Sequence, residues 1–305
     1  VSVHSIAPVI ENLRTKTRPK KVSVLGSDGR TYVYLLKSRE DLHLDSRMMQ
    51  SLDTINRLLF RDSARTENPS LRQLRVCTYP VIPLSGKSGL IRWVENMIPL
   101  ADIYKSWQSR QLGQAQYSGQ ASKPVQQYMQ KIQQYLQERG VPANAARKEW
   151  PADVLRRVFL ELSQDTPSQL FAQELWCTSC SSVEWLRKRD VFTISTAVMS
   201  AVGYVFGLGD RHLGNILMHL GTGEILHIDY NICFDRGRKL PIPEVVPFRL
   251  TQCIRGGFGV TDVEGLFRET CHSVMKALRK NCGTIVATLD SFIYEPVSDW
   301  LRSRA

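Results

Sequence analysis

Four side chains between Asp210 and Asp229 have the types and spacing to do chemistry together: Asp210, His212, Asn215 and Asp229, in the stretch GLGDRHLGNILMHLGTGEILHID that begins at Gly207. A carboxylate can take the proton of an attacking hydroxyl, while an asparagine oxygen and a second carboxylate are hard ligands suited to Mg²⁺. Phosphoryl transfer needs these types, because it is catalysed by positioning and by neutralising phosphate charge. The bland alternative is a polar loop that caps two elements, with Asp210 as an N-cap. Against it stands the collection of all four types in one stretch around an apolar hairpin.

The elements that must position these residues follow from the flanking pattern. Ile216-Leu217-Met218 and Glu224-Ile225-Leu226-His227-Ile228 read as paired strands joined by the turn Gly221-Thr222-Gly223. A hairpin holds its ends together, so Asp210 and Asn215 at its entrance and Asp229 past its exit are expected to converge. Upstream, Val191 to Leu208 is apolar but contains Thr193, Ser195, Thr196, Ser200 and Gly203. That predicts a buried core helix and not a membrane span.

Before the site, Val22 to Leu25 and Thr31 to Leu36 flank Gly26-Ser27-Asp28-Gly29 and predict a hairpin ending on Lys37. The basic, hydroxyl-rich run from Leu13 to Lys21 is either a solvated charge run or nucleic-acid patch, or a loop covering phosphates with donors such as Thr15 and Lys16. Lys37 alone reads as a solvated strand-end residue. It precedes an acidic helix start from Ser38 to Asp45, followed by Met48, Met49, Leu52, Ile55, Leu58 and Leu59 at helical spacing. A strand lysine facing such a start is how kinases hold the α and β phosphates. The runs 74–84 and 88–94 predict a second hairpin, and Gly86-Lys87-Ser88 is only its turn, because the first glycine of a Walker motif would fall on Val81. From Ser106 to Gln120 the chain turns to Gln, Ser, Gly and Ala without hydrophobic period, which reads as a mobile insertion. Two amphipathic helices are expected next: Val125, Tyr128, Met129, Ile132, Tyr135 and Leu136 facing inward on the first, then Val154, Leu155, Val158, Phe159 and Leu162 on the second.

A chain of 305 residues is long enough for one large domain or two lobes, and its formal charge of +11 points to an anionic partner without choosing one. Aromatic residues are not interleaved with the 14–21 basic run, so no direct nucleic-acid contact is expected. Seven irregularly spaced cysteines do not form a disulfide framework, and Cys177-x-x-Cys180 lacks a second pair at zinc-ribbon spacing. The first residues, VSVHSIAPVI, lack a charged leader and a small-residue cleavage site, so no signal peptide is expected, and the abrupt ends are those expected of an excised domain.

Asp210-Arg211-His212 reverses the His-Arg-Asp of ordinary protein kinases. With Asn215 five positions on from Asp210 and with His227-Ile228-Asp229, the chain resembles the superfamily of phosphatidylinositol 3-kinases and their related protein kinases. The resemblance implies an α+β, two-lobed kinase fold. Residues 1–94 would form a small antiparallel-sheet N-lobe. Residues 95–305 would form a larger, mainly helical C-lobe, with a Gln-rich insertion at about 106–123, a catalytic loop at 207–215 and an activation loop at 229–252. It implies ATP and Mg²⁺, with Mn²⁺ as the alternative ion. Asp210 would act on the acceptor hydroxyl, His212 would stabilise charge near the γ-phosphate, and Asn215 and Asp229 would hold the metal. In YVYLLKSREDLHLDSRMMQ, Lys37 would pair with Glu40 and Asp45. Ile91, Trp93 and Val94 would form the adenine-binding hinge, against the alternative of a plain core tryptophan.

Lipid kinases of the superfamily carry a dense basic cluster after the metal-binding aspartate, whereas this loop has only Arg236, Arg238 and Lys239 close together. The loop therefore resembles the protein-kinase branch, with a phosphoinositide kinase as the alternative and an inactive scaffold or nucleic-acid module behind it. STAVMSAVGYVFGLGDRH, HIDYN, VPFRLTQ and the closing YEPVSDW resemble the members of that branch that serve nonsense-mediated mRNA decay. That resemblance implies transfer to Ser or Thr followed by Gln, an RNA helicase of the decay pathway as protein substrate, regulatory subunits, no membrane, and a cytoplasmic location with the nucleus as a second site. Relatives carry helical segments on either side of the kinase, so low activity without them is expected. Gly214 stands where a larger side chain is expected, and a glycine there should loosen the loop.

Overall fold

The computed structural model describes residues 1–13, 18–63, 71–72, 74–115, 124–142 and 145–294. Thr15 and Lys16, the end of the Gln-rich insertion and the closing run from Glu295 lie outside the described residues.

The first lobe is built on an antiparallel sheet of β1 (Val3–Ile6), β2 (Glu11–Asn12), β3 (Lys20–Gly26), β4 (Thr31–Ser38), β5 (Val81–Ser85) and β6 (Ser88–Arg92), against which α1 (His43–Ser63) packs. The strand order is β1-β3-β4-β6-β5, with β2 also on β3. The expected hairpin is β3–β4, in register Val22↔Tyr34 and Val24↔Tyr32, its turn closed by Gly29 at φ 74°. Lys37 sits opposite Gly89 on β6. A Cβ at Gly89 would lie 2.8 Å from the Ile82 carbonyl oxygen, so glycine allows β5 and β6 to close there.

Helix α1 begins five residues later than the acidic run suggests. Arg39 is left-handed at φ 65° and its N–H bonds the Lys87 carbonyl, which holds 38–40 on the β5–β6 turn. Asp41 then accepts the His43 N–H at 3.0 Å and starts the helix. Met48, Met49, Leu52, Ile55, Leu58 and Leu59 are all buried, as their spacing predicts. The run 74–80 is not a strand. Val76 exchanges both its backbone bonds with the Asn56 side-chain amide, at 2.7 and 2.9 Å, instead of with a ladder.

The second lobe contains β7 (Met97–Pro99), α2 (Leu100–Ala115), α3 (Pro124–Glu138), α4 (Ala152–Asp165), α5 (Leu170–Cys177), α6 (Ser182–Val205), β8 (Ile216–His219), β9 (Ile225–His227), α7 (Gln252–Gly256), α8 (Leu266–Lys280) and α9 (Cys282–Tyr294). Strands β7, β8 and β9 form a three-stranded antiparallel sheet, whose first strand the sequence reading omitted. Ser181 caps α6 by accepting the Glu184 N–H at 3.2 Å. The hydroxyls within α6 are buried because each is satisfied locally: Thr193, Thr196 and Ser200 donate to the carbonyl four residues back, and Ser195 additionally accepts the Ile225 N–H of β9 at 3.0 Å. Among the described residues no helix is long and apolar enough to cross a membrane.

Two expectations are corrected. Ser106 to Ala115, read from the sequence as lacking a regular period, is helical and belongs to α2. Leu100 and Ile103 anchor the first turn in the core, and Gln, Arg, Leu and Ala extend a helix readily once it is nucleated, even without an apolar period. Phe159 is 68% exposed and Met129 38% exposed instead of facing inward, because the small α3–α4 core closes on Ile132, Tyr135, Leu136, Val154 and Val158.

Candidate active site

The 207–215 loop is held by its own backbone and by one buried arginine, Arg211. Asp210 and Asp229 both lie in the left-handed region, at φ 57° and 60°. This conformation costs an ordinary residue roughly 1–2 kcal/mol, and Asp tolerates it better than most. The Asn215 amide donates to the Asp210 carbonyl at 3.0 Å, and the Asn215 carbonyl accepts the Ile228 N–H at 3.0 Å. An amide facing a carbonyl must present its NH₂, so the Asn215 oxygen is left as an acceptor on the other side. Arg211, 5% exposed, donates to the Gly209 and Ile228 carbonyls at 2.8 Å each and to the Asp229 carbonyl, and lies 5.6 Å over the Tyr230 ring. The stretch carrying Asp210 and Asn215 is thereby tied to the exit of β9, and Asp229 is brought to it.

The first lobe reaches the same place. Lys37 bonds Glu40 at 3.1 Å, which is the pairing expected for it. Asp45 does not share that direct contact. It is 4% exposed, and it accepts the Tyr230 N–H at 3.4 Å, next to Asp229. Burial pushes its carboxyl up to about 6, and the nearby Lys37 ammonium pulls the other way. Tyr79 is raised well above the ordinary tyrosine range, chiefly by burial, with Tyr230, Asp45 and Asp229 adding to the shift. The His227 Nδ1 is buried with no partner among the described residues, and burial followed by the Arg211 charge lowers the imidazole to about 3.

His212 is exposed beside Asp210, and its Nδ1 accepts the Gly214 N–H at 3.0 Å, which leaves Nε2 as the outward nitrogen. A Cβ at Gly214 would lie 2.9 Å from the His212 ring. Gly214 therefore admits the folded-back ring and supplies a bond, where the sequence reading expected only a loosened loop.

At the other end of β4, the Trp93 N–H bonds the Val33 carbonyl at 2.9 Å, which extends the ladder that carries Ile91 opposite Leu35. Trp93 and Val94, with Val33, Thr78, Tyr79, Pro80, Arg92 and Glu95, line a cleft of about 400 Å³. Val33 and Lys37 fall on the same face of β4 by the period of a strand, so the cleft and the ammonium share one side of the sheet. The Lys21 ammonium lies 4.9 Å from the Trp93 ring centre. A larger cleft of about 1170 Å³, lined by Arg75, Arg187, Lys188, Glu184 and Glu224 among others, contains none of the expected site residues.

The donors fit a hard divalent ion shared with phosphates. Among the described residues no three His, Cys, Asp or Glu side chains cluster as a metal site of their own. Mg²⁺ is ordinarily bound by one or two carboxylates completed by substrate phosphates and water, and Asn215 and Asp229 offer that kind of oxygen set. Cys177 and Cys180 are exposed, free thiols.

Sequence reasoning missed Arg211, Tyr230, Glu244 and Arg249. Glu244 accepts the Asp210 N–H at 2.8 Å, and Arg249 donates to the Arg211 carbonyl. Arg211 stood inside the motif and could have been found as the one side chain with enough donors for several carbonyls. The other contacts are long-range, and no local spacing announces them.

A sheet-based first lobe, a helical second lobe and this loop between them define a lipid- and protein-kinase architecture. The chain belongs to the phosphatidylinositol 3- and 4-kinase family, whose model matches residues 31–302. Within it the chain is 44% identical to "Serine/threonine-protein kinase SMG1" of Danio rerio, over 98% of its own length and 8% of that protein's. It is 42% identical to "Probable serine/threonine-protein kinase smg1" of Dictyostelium discoideum, over 99% of its own length and 15% of that protein's. It is 43% identical to "Serine/threonine-protein kinase Smg1" of Drosophila melanogaster, with 98% and 9% covered. The chain thus spans between 8% and 15% of the length of these relatives. Among solved structures it is similar to the "FAT and kinase domain of CtTel1", with a TM-score of 0.77 and 34% identity, over 95% of this chain and 19% of that one.

Proposed function

We propose that this chain is the catalytic domain of an ATP-dependent serine/threonine protein kinase. The observation that carries the reading is the pair of ties, Asn215 to the Asp210 carbonyl and Arg211 to the Asp229 carbonyl, which gather the three oxygen-bearing residues at one place. The relatives named serine/threonine-protein kinases support it.

Asp210 orients the acceptor hydroxyl and takes its proton as the hydroxyl oxygen bonds to the γ-phosphorus and the bond to the β-phosphate bridging oxygen breaks. His212 faces the developing charge through its outward nitrogen. Lys37, steadied by Glu40, holds phosphate oxygens, and Ile91, Trp93 and Val94 receive adenine. Asn215 and Asp229 hold a divalent ion, Mg²⁺ or Mn²⁺, which when bound neutralises phosphate charge. Thr15 and Lys16 are assigned to phosphate cover on sequence alone.

Likeness to the SMG1 proteins supports the finer reading: transfer to Ser or Thr followed by Gln, on an RNA helicase of nonsense-mediated mRNA decay, with regulatory subunits, in the cytoplasm or nucleus. A phosphoinositide kinase is the second reading, favoured by the matched family. Transfer of γ-phosphate from Mg-ATP is to be measured to paired Ser-Gln and Ser-Ala peptides and to phosphatidylinositol vesicles, with Asp229→Ala as the blank. Transfer to Ser-Gln alone is expected, and transfer to lipid alone would replace this reading with the second.

A further inference from the structure

Glu244 lies 34 residues beyond Asp210, in a proline-spaced loop, yet its Oε1 accepts the Asp210 N–H at 2.8 Å. The other carboxylate oxygen is seated between two glycines. A Cβ added at Gly209 would come within 2.6 Å of it, and one at Gly237 within 2.0 Å. The loop is shaped around this seat, since the Glu244 N–H bonds the Gly237 carbonyl at 3.0 Å and the Gly209 N–H bonds the Ile232 carbonyl at 2.9 Å. Among the described residues the carboxylate makes no ion pair. Its bond goes to the backbone of a residue held at φ 57°, and a charged acceptor on a backbone N–H is a strong way to hold such a conformation. Arg249, five residues on, bonds the Arg211 carbonyl, so the same loop grips two consecutive residues of the catalytic stretch.

We propose that Glu244 is a positioning residue: its carboxylate, seated between Gly209 and Gly237, fixes the backbone at Asp210 and couples the order of the 229–252 loop to the aim of the Asp210 carboxylate. The proposal rests on the reading of Asp210 as the residue that acts on the acceptor hydroxyl. Bond formation at phosphorus demands close alignment, and small misplacements of a reacting group cost up to about 10²-fold in rate.

The test is steady-state kinetics of the full chain on a peptide substrate, for Glu244→Ala, Glu244→Gln, Gly237→Ala, Asp210→Ala and the double variant Asp210→Ala/Glu244→Ala. E244A and G237A are expected to lower kcat about 10- to 100-fold with KM for Mg-ATP unchanged, the split that marks a contribution to the transition state and not to nucleotide binding. E244Q keeps an oxygen in the seat and should restore most of kcat. Adding E244A to D210A should cost nothing further, because the carboxylate acts through Asp210. A near-wild-type kcat for E244A beside an inactive D210A would overturn the proposal and leave the reading of Asp210 intact. So would an E244A loss that E244Q does not rescue and that matches a lowered unfolding midpoint. An active D210A would remove the reading itself.

Discussion

At the scale of single residues, the site is held by side chains that bond backbone carbonyl and N–H groups. Asp210 and Asp229 expose their carboxylates because Arg211, Asn215 and Glu244 take up the backbone around them. Asp210→Ala and Asp229→Ala should each lower kcat by on the order of 10²–10³, with a loss of stability confined to roughly the 1–2 kcal/mol that the left-handed conformation costs an ordinary residue. Comparison of turnover with a denaturation curve checks this, and a variant that keeps half its turnover would contradict the assignment. Arg211→Lys should be destabilising despite the conserved charge. A point-like ammonium cannot serve three diverging carbonyls, and each buried acceptor left unmet costs about 1–3 kcal/mol. Urea denaturation of R211K against wild type measures it.

At the scale of elements, the first turn of α1 meets the exit of β9 through Asp45 and Tyr230, and two buried ionisable groups there respond to pH in opposite senses. Asp45 is raised to about 6 from 3.8. The folded state thus binds its proton more tightly than the unfolded state, and the group adds stability as pH falls from about 6 towards 4. His227 is lowered to about 3 from 6.5, so the unfolded state binds the proton more tightly and stability is lost as pH falls through 6.5 towards 3. Between about pH 4 and 6 these contributions oppose one another. Asp45→Asn removes the compensating one. D45N should lose stability more steeply than wild type as pH falls from 7 to 4, the difference between them changing by about 2–3 kcal/mol across that window. Denaturation midpoints at intervals from pH 4 to 7 test the sign, and a difference that does not change with pH would contradict the burial account.

At the scale of the whole molecule, the lobes share one core. The largest buried cluster joins Leu52, Ile55 and Leu59 of α1 to Val198 and Val202 of α6, Val274 of α8 and Phe292 of α9. Polar ties reinforce it: Lys280 bonds Asp62 at 2.7 Å, and Asn281 bonds both Asp62 and Arg61. Because α1 carries Asp45 within electrostatic reach of Lys37, its seating bears on where that lysine stands relative to Asp229. Leu52 is fully buried, so Leu52→Ala should cost about 2–5 kcal/mol. Both lobes should melt in a single transition at the lower temperature, as calorimetry would show. Two separated transitions would mean that the cores are independent.

Much of this was legible in the order of residues. The β3–β4 and β8–β9 hairpins, the α1 and α6 helices, and the convergence of Asp210, Asn215 and Asp229 follow from local period and turn chemistry, which act over a few residues and leave a pattern in the chain. Length and charge bounded the partner without identifying it. What only the tertiary structure decided is wherever a hydrogen bond or a packing surface comes from far along the chain. Val76 leaves a strand because Asn56 satisfies it, and Phe159 stays outside because the α3–α4 core closes without it. Residues 106–115 become helix because the turn before them is anchored in a core built elsewhere. Asp45 faces Tyr230 as well as Lys37, and Glu244 reaches Asp210 across 34 residues. A chain specifies its local conformations residue by residue, but a buried polar group takes whichever partner the closed fold brings to it.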